Sequence, residues 1–370
     1  MTRIQLEIQL IAVIVAAACA LPGVFLVLRR MALMSDAISH SILLGIVVAF
    51  FAVESLTSPL LIVGAAATGV LTVWLVELVH RTRLVKEDTA IGLVFPALFS
   101  FGVILIARYA GSVHLDIDAV LLGELAFAPF RRLEIAGIDL GPQALWMMSG
   151  IFVLNILFLA LFYKELKVTT FDAALAASLG FSPALVHYGF MTLVSITAVG
   201  AFDAVGSILV VALMIGPPSA AWLLTDRLSR MILLSVGIGC LSAIAGYWLA
   251  HWLDASIAGS MATMAGVSFG LVFLFAPERG VVALARRRSR QRLDFAQRML
   301  VIHLLHHEGS VEAEEENRVS HLHRHLRWSP AFAERIVRTA ERRELVRCEE
   351  NEALELTNEG RALAEMALIR

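Results

Sequence analysis

Apolar residues gather into runs at 6–28, 38–54, 58–79, 89–107, 144–163, 184–202, 204–224, 231–252 and 257–276. A helix needs about 20 predominantly apolar residues to cross the hydrocarbon of a bilayer. The second run is short, and the sixth and seventh nearly touch, so the pattern predicts eight or nine spans. The first run has the length of a secretory leader. Arg29 and Arg30 follow it directly and further spans come at once, which predicts a retained helix. The segment 108–143 breaks the scheme. Its apolar piece, Val120–Phe130, is too short to span and reads as a re-entrant or interfacial element.

After Pro277 the apolar pattern stops. A basic juxtamembrane linker is expected at 281–292, where Arg286–Arg292 carries five arginines suited to anionic lipid, a basic nucleic-acid arm being the minor alternative. Residues 293–370 read as a small soluble domain. Helical spacing covers Leu293–His307, an acidic patch follows at Glu312–Glu316, and further helices fit 317–327 and 330–343. The last of these opens on Ser329-Pro330, a good cap and first-turn pair. Two strand-like runs then flank a polar turn in ELVRCEENEALELTNEG, and a final helix fits Arg361–Ile369. Helix, helix, helix, hairpin, helix is the order of a winged-helix unit. The expected fold class is thus an all-α polytopic membrane protein with a small C-terminal winged-helix domain: a membrane domain over 1–280, the linker 281–292, and the tail 293–370.

Composition sharpens this division. The 370 residues are 58% apolar and 17% charged, with a mean hydropathy of +0.78. Soluble domains sit near 45–50% and 25%, so a soluble enzyme, a disordered chain and a disulfide scaffold are all disfavoured. Cys19, Cys240 and Cys348 lie far apart and form no CxxC pair. The net charge of −2 hides an uneven placement. Arg29-Arg30, Arg81, Arg83, Lys86, Lys164, Lys167, Arg227, Arg230 and Arg279 all fall on one side if the N-terminus is outside. By the positive-inside rule that side, and the C-terminus with it, is cytoplasmic. Arg131 and Arg132, in the segment 108–143, resist the pattern.

Ionisable groups within spans are costly and therefore functional candidates. Asp36 and His40, in MALMSDAISHSILLG, are spaced i, i+4 and share a helix face. A carboxylate and an imidazole so placed can hold a divalent transition metal. A plain Asp–His hydrogen bond at a helix entry gives the same spacing, and Ser35 and Ser39 fit helix packing as well as ligation. Asp203 lies between two apolar runs, ahead of Gly216-Pro217-Pro218, whose prolines are expected to break or kink the span. It is either a cavity residue or an extracellular turn. His114, Asp116, Asp118 and Glu124 could collect metal at an outer mouth or form a solvated loop. Phe171–Pro183 reads as a short cytoplasmic amphipathic helix, with Asp172 near its start and Gly180 at its end. It could be a knob for a partner or an ordinary loop helix. In the tail, His303/His307 and His321/His325 are both i, i+4 pairs that could bind metal if their helices meet. No Walker loop, GxSxG elbow or HExxH occurs, so ion handling suits the chain better than bond cleavage.

Across LRRMALMSDAISHSILLGIVVAF, KEDTAIGLVFPALFSFGVILI, FDAALAASLGF and GAFDAVGSILVVALMIGPPSAAWLLTDRLSRM the chain resembles the membrane permeases of bacterial manganese/zinc/iron ABC importers. The resemblance runs from about residue 5 to 280 in motif order. It implies a permease subunit of the cell membrane without ATPase activity of its own and without a resident cofactor, the divalent metal being its cargo. Its implied partners are a separate ABC ATPase, an external metal-binding solute-binding protein, and a second permease chain, identical or related. Asp36 and His40 become pathway ligands, and Asp172–Gly180, with Leu175 and Ala176, becomes the helix that couples to the ATPase. Asp203 stands where this family more often has Glu.

The tail segment RELVRCEENEALELTNEGRALAEMAL is similar to the wing and following helix of diphtheria-toxin-repressor-type metalloregulators. Residues 293–370 hold 11 arginines against 15 acidic residues, a balance unlike that of an independent DNA reader. A regulatory or dimerising role fits better than nucleic-acid binding. The alternative function is a membrane-anchored metal-responsive regulator whose spans only tether the tail.

Overall fold

The structure, a computed structural model, describes residues 2–54, 58, 60–109, 125–135, 138–309, 317–319, 321–322, 326–348 and 353–368. The chain divides into two compact units, Met1–Gly280 and Val281–Arg370.

In the first unit, α1 (Arg3–Leu28), α2 (Ala32–Val53), α3 (Leu60–Arg81) and α4 (Glu87–Tyr109) lead to a short 3-10 turn, Ala128–Phe130, and an antiparallel hairpin, β1 (Arg132–Ile135) with β2 (Ile138–Pro142). There follow α5 (Gln143–Leu161), α6 (Tyr163–Phe171), α7 (Ala173–Ser178), α8 (Pro183–Val205), α9 (Ser207–Leu224), α10 (Leu228–Leu253) and α11 (Ile257–Phe275). Among the described residues nine of these helices, all but α6 and α7, are long and apolar enough to cross a membrane. The molecule is a mostly helical polytopic membrane protein.

Helix α1 is the core around which the unit is built. Its start is fixed by a capping box, in which the Thr2 hydroxyl accepts from the Gln5 amide and the Gln5 side chain accepts from the Thr2 amide. From Ile11 to Leu26 it is buried almost all round, against α5, α8, α9 and α10, as expected of an internal helix rather than a one-sided one. Lipid offers no hydrophobic drive between helices, so small residues and hydrogen bonds must draw them together. At the α2–α3 crossing Gly45 and Gly64 face each other. A Cβ on Gly45 would lie 2.2 Å from the Gly64 carbonyl oxygen, and one on Gly64 would lie 2.6 Å from that of Gly45. Asn155 of α5 joins three helices: its amide donates to the Ala18 carbonyl at 2.9 Å, and Thr197 of α8 donates to its oxygen at 3.0 Å.

Two expectations are corrected here. Pro217 and Pro218 neither break nor end a helix; α9 continues through both, and Pro218 packs where Gly23 of α1 leaves room. The interruption lies at Gly206, whose φ of 83° separates α8 from α9, a backbone position natural to glycine. The second run, read as starting at residue 38, forms a helix from Ala32. Part of 108–143 lies outside the described residues, and the rest is the turn and hairpin.

In the second unit α12 (Val281–His307) is one continuous helix, so the arginine stretch and the expected helix at Leu293–His307 are not separate elements. It is followed by α13 (Pro330–Arg342), the hairpin β3 (Val346–Cys348) with β4 (Leu354–Leu356), and α14 (Asn358–Leu368). Ala296, Leu300, Leu304, Ile336, Val337 and Leu354 belong to its apolar core. The helix expected at 317–327 falls partly outside the described residues. What is described, three helices and a hairpin, falls short of the full winged-helix order.

Candidate functional site

Asp36 and His40 lie in the first turns of α2. The helix carries them despite four polar residues in six because the serines bond to its own backbone. Ser35 Oγ donates to the Ala32 carbonyl and Ser39 Oγ to that of Ser35, both at 2.8 Å. Neither hydroxyl is turned outward as a ligand. His40 Nε2 lies 3.4 Å from Asp36 Oδ1, with side-chain exposures of 30% and 39%. The imidazole stacks on Phe95 of α4 at 5.9 Å between centroids and meets Phe99 edge-on at 6.2 Å. The pair therefore sits on an aromatic wall, open on one side, inside a span. Among the described residues no third His, Cys, Asp or Glu joins it.

The bundle has two charged ends. At the end where α1 starts, Arg132 bonds Asp139 Oδ2 at 2.6 Å and Glu7 at 3.4 Å, and Arg131 reaches Asp203 at 3.3 Å. Arg132 and a backbone amide, that of Gly141, hold the Asp139 carboxyl below the usual carboxylate range, and Asp139 in turn raises Arg132. Asp203 is thus an exposed ion-pair partner at the far end of the bundle from Asp36, and the structure does not bring the two together. The outer-loop candidates His114 and Asp116, with Asp118 and Glu124, lie outside the described residues.

At the opposite end Arg29 caps α1. Its Nε donates to Thr170 Oγ1 at 3.0 Å and its Nη2 to Thr169 Oγ1 at 3.2 Å, and Nη1 lies 3.5 Å from His187 Nδ1. The guanidinium also stands 4.9 Å over the Phe190 ring. Burial pushes Arg29 down to about 10, which still leaves it a cation at neutral pH. Nothing in the hydropathy pattern distinguishes Arg29 from Arg30 beside it, and only the packing does so.

Thr169 and Thr170 lead straight into α7. Asp172 caps this helix, its Oδ1 accepting from the Leu175 amide at 2.9 Å. Gly180 (φ 88°) ends it, with the Phe181 amide bonding back to the Ala176 carbonyl at 3.1 Å. Ala176 is buried against the unit, whereas Phe171, Leu175 and Leu179 are exposed. The expected short helix exists, and it presents an apolar face to its surroundings. In the tail, His303 and His307 have ring centroids 4.7 Å apart. His321 is described, but His325 is not.

A family model described as the ABC 3 transport family matches residues 2–276. The zinc transport system membrane protein TroD of Treponema pallidum is 51% identical over 363 residues, covering 98% of both chains, tail included. The manganese transport system membrane protein MntD of Bacillus subtilis is 50% identical over 270 residues, 73% of this chain and 91% of that one. Among solved structures, PsaBC from Streptococcus pneumoniae in complex with Fab matches with a TM-score of 0.63 and 26% identity, over 77% of this chain and 96% of that chain. These relatives are named as transport proteins, which lends no support to the regulator alternative.

Proposed function

The chain belongs to the ABC 3 transport family, and from that premise we propose that it carries divalent transition metal through the pair Asp36 and His40 as the permease subunit of an ATP-driven importer. It is a transport subunit and not an enzyme. The relatives named for zinc and manganese transport support a cargo of that class, and a mixed oxygen–nitrogen pair accepts manganese, ferrous iron and zinc alike.

The observation that carries this reading is the placement of Asp36 and His40, half exposed within a span. A carboxylate left facing hydrocarbon is costly, whereas one facing a second permease chain would line a polar path with its mate. Such a path replaces lost hydration with ligands, without which a divalent ion cannot cross. Phe95 and Phe99 would restrict it to one side of the imidazole.

Helix α7 is assigned as the contact with a separate ATPase. Its exposed Leu175, with Phe171 at the end of α6 and Leu179 at its C-cap, would fill an apolar cleft, while Asp172 and Gly180 fix its ends and Ala176 anchors it. The N-terminus is assigned outside and the C-terminus to the cytoplasm. Support comes from Arg29, Arg30, Arg81, Arg83 and Arg279 gathering at the α7 end. At the other end lie Arg3, Arg108, Arg131 and Arg132, of which Arg3, Arg131 and Arg132 pair with carboxylates there. That outer end would receive metal from a solute-binding protein. Residues 1–280 form the permease proper on this reading, and 281–370 a cytoplasmic accessory unit whose winged-helix character is part of the proposal.

Metal uptake by cells expressing Asp36→Ala or His40→Ala tests the assignment. Uptake should fall to background with normal membrane expression; uptake at the wild-type level overturns it.

A further inference from the structure

We infer that the tail carries a second metal site, built on His303 and His307. The two imidazoles lie one turn apart on α12 with ring centroids 4.7 Å from each other, and Leu300 and Leu304 of the same helix are fully packed in the tail core. Both rings are only partly exposed, so their rotamers are restricted before any metal arrives. His306, on the same turn, is exposed. Two neutral imidazoles at i, i+4 chelate a single ion, and a donor set of nitrogen alone favours zinc, nickel or copper over manganese. Its chemistry thus differs from the oxygen–nitrogen pair Asp36–His40, and the site would report an imidazole-preferring metal irrespective of what passes through the spans.

The test uses the full chain in detergent with Asp36→Ala and His40→Ala, which silence the membrane pair. Titration with zinc alone should lose one equivalent in His307→Ala and in His303→Gln, and none in His306→Ala. Thermal unfolding checks that each variant is folded, and His307→Ala decides the matter if His303→Gln does not fold. Unchanged zinc stoichiometry in His307→Ala, or an equal loss in His306→Ala, overturns the site.

A separate observation assigns Arg29 as a positioning residue that links α7 to the membrane pair. This rests on the reading of α7 as the ATPase contact. Arg29 bonds Thr169 and Thr170 at the base of α7, lies against His187 and stands on Phe190, which packs edge-on against Phe25 of α1. It is also joined through Arg30 and Met31 to α2, where Asp36 begins the next turn. The Met31 amide returns to the Leu26 carbonyl at 2.9 Å, so α1, this corner and α2 form a continuous connection. A displacement of α7 must move Thr169 and Thr170, and three directional contacts on one rigid guanidinium pass that displacement on.

In the importer reconstituted with its ATPase, Arg29→Lys and the double variant Thr169→Val/Thr170→Val should co-purify with the ATPase and hydrolyse ATP. Metal moved per ATP should drop severalfold. A wild-type ratio in both overturns the role of Arg29. Leu175→Asp separates the two readings: intact co-purification there overturns the ATPase contact itself.

Discussion

Two polar groups inside the same bundle have opposite characters. Asn155 is fully buried, donates to Ala18 and accepts from Thr197, and so ties α1, α5 and α8 with its amide oxygen and nitrogen both engaged. Asp36 and His40 touch each other at 3.4 Å and keep about a third of each side chain open. The first group has its hydrogen-bonding capacity met by the fold; the second retains capacity for something else. Polarity within a span therefore marks function only where the fold leaves it unsatisfied, and composition cannot tell these cases apart.

Exchanging the chemistry of the two groups breaks the contrast if it is false. Asn155→Asp sets a buried carboxylate against the Ala18 carbonyl. It should destabilise the folded protein by about 3–5 kcal/mol, the range for an uncompensated buried charge, read as loss of thermal stability in detergent. Asp36→Asn keeps the shape and loses the charge. Uptake should vanish while the melting temperature stays close to wild type, because a half-open site depends little on that carboxylate for folding. A large loss of stability there would place Asp36 with Asn155 as structural.

Between these lies pure geometry. Gly64→Ala drives a methyl onto the Gly45 carbonyl and the Ala49 side chain, and overpacking of this kind costs about 1–3 kcal/mol. Thermal unfolding measures it. Uptake per folded molecule should change less than in Asp36→Asn.

The smallest effect is at the hairpin. Asp139 is held below its ordinary range, so its stabilising contribution is present above about pH 4 and is lost as the pH falls through the depressed value. Raised Arg132 stays charged throughout. Hydrogen exchange of the β1–β2 amides should quicken as the pH is lowered in that window, once corrected for intrinsic rates, and Asp139→Asn should remove the extra acceleration.

Much of this was legible in one dimension. Among the described residues the nine apolar runs form nine helices because a backbone in lipid must satisfy itself, and only a helix does so within one segment. Asp172 and Gly180 announced α7 because caps act locally. The start of α2 was misplaced because Ser35, Asp36, Ser39 and His40 lower the apolar signal, while the serines back-bond and let the helix continue. Pro217 and Pro218 were misread for a related reason: a proline's missing bond is visible in sequence, but the room Gly23 leaves for it on α1 is not. Asn155 and Arg29 carried no distinguishing signal. One is a lone amide in an apolar run and the other one arginine of a pair, and each acquires its role from residues more than 130 positions away.

The spans, the caps and the i, i+4 pairs are local properties, each set by residues within a single segment of the chain. Tertiary structure alone decided which polar groups are saturated, which arginine is buried at the corner of α1 and α2, and that Asp203 pairs with Arg131 far from Asp36. Those outcomes depend on distance in space, and in a helical bundle residues far apart in the chain become neighbours while residues within one span can lie a membrane's thickness apart.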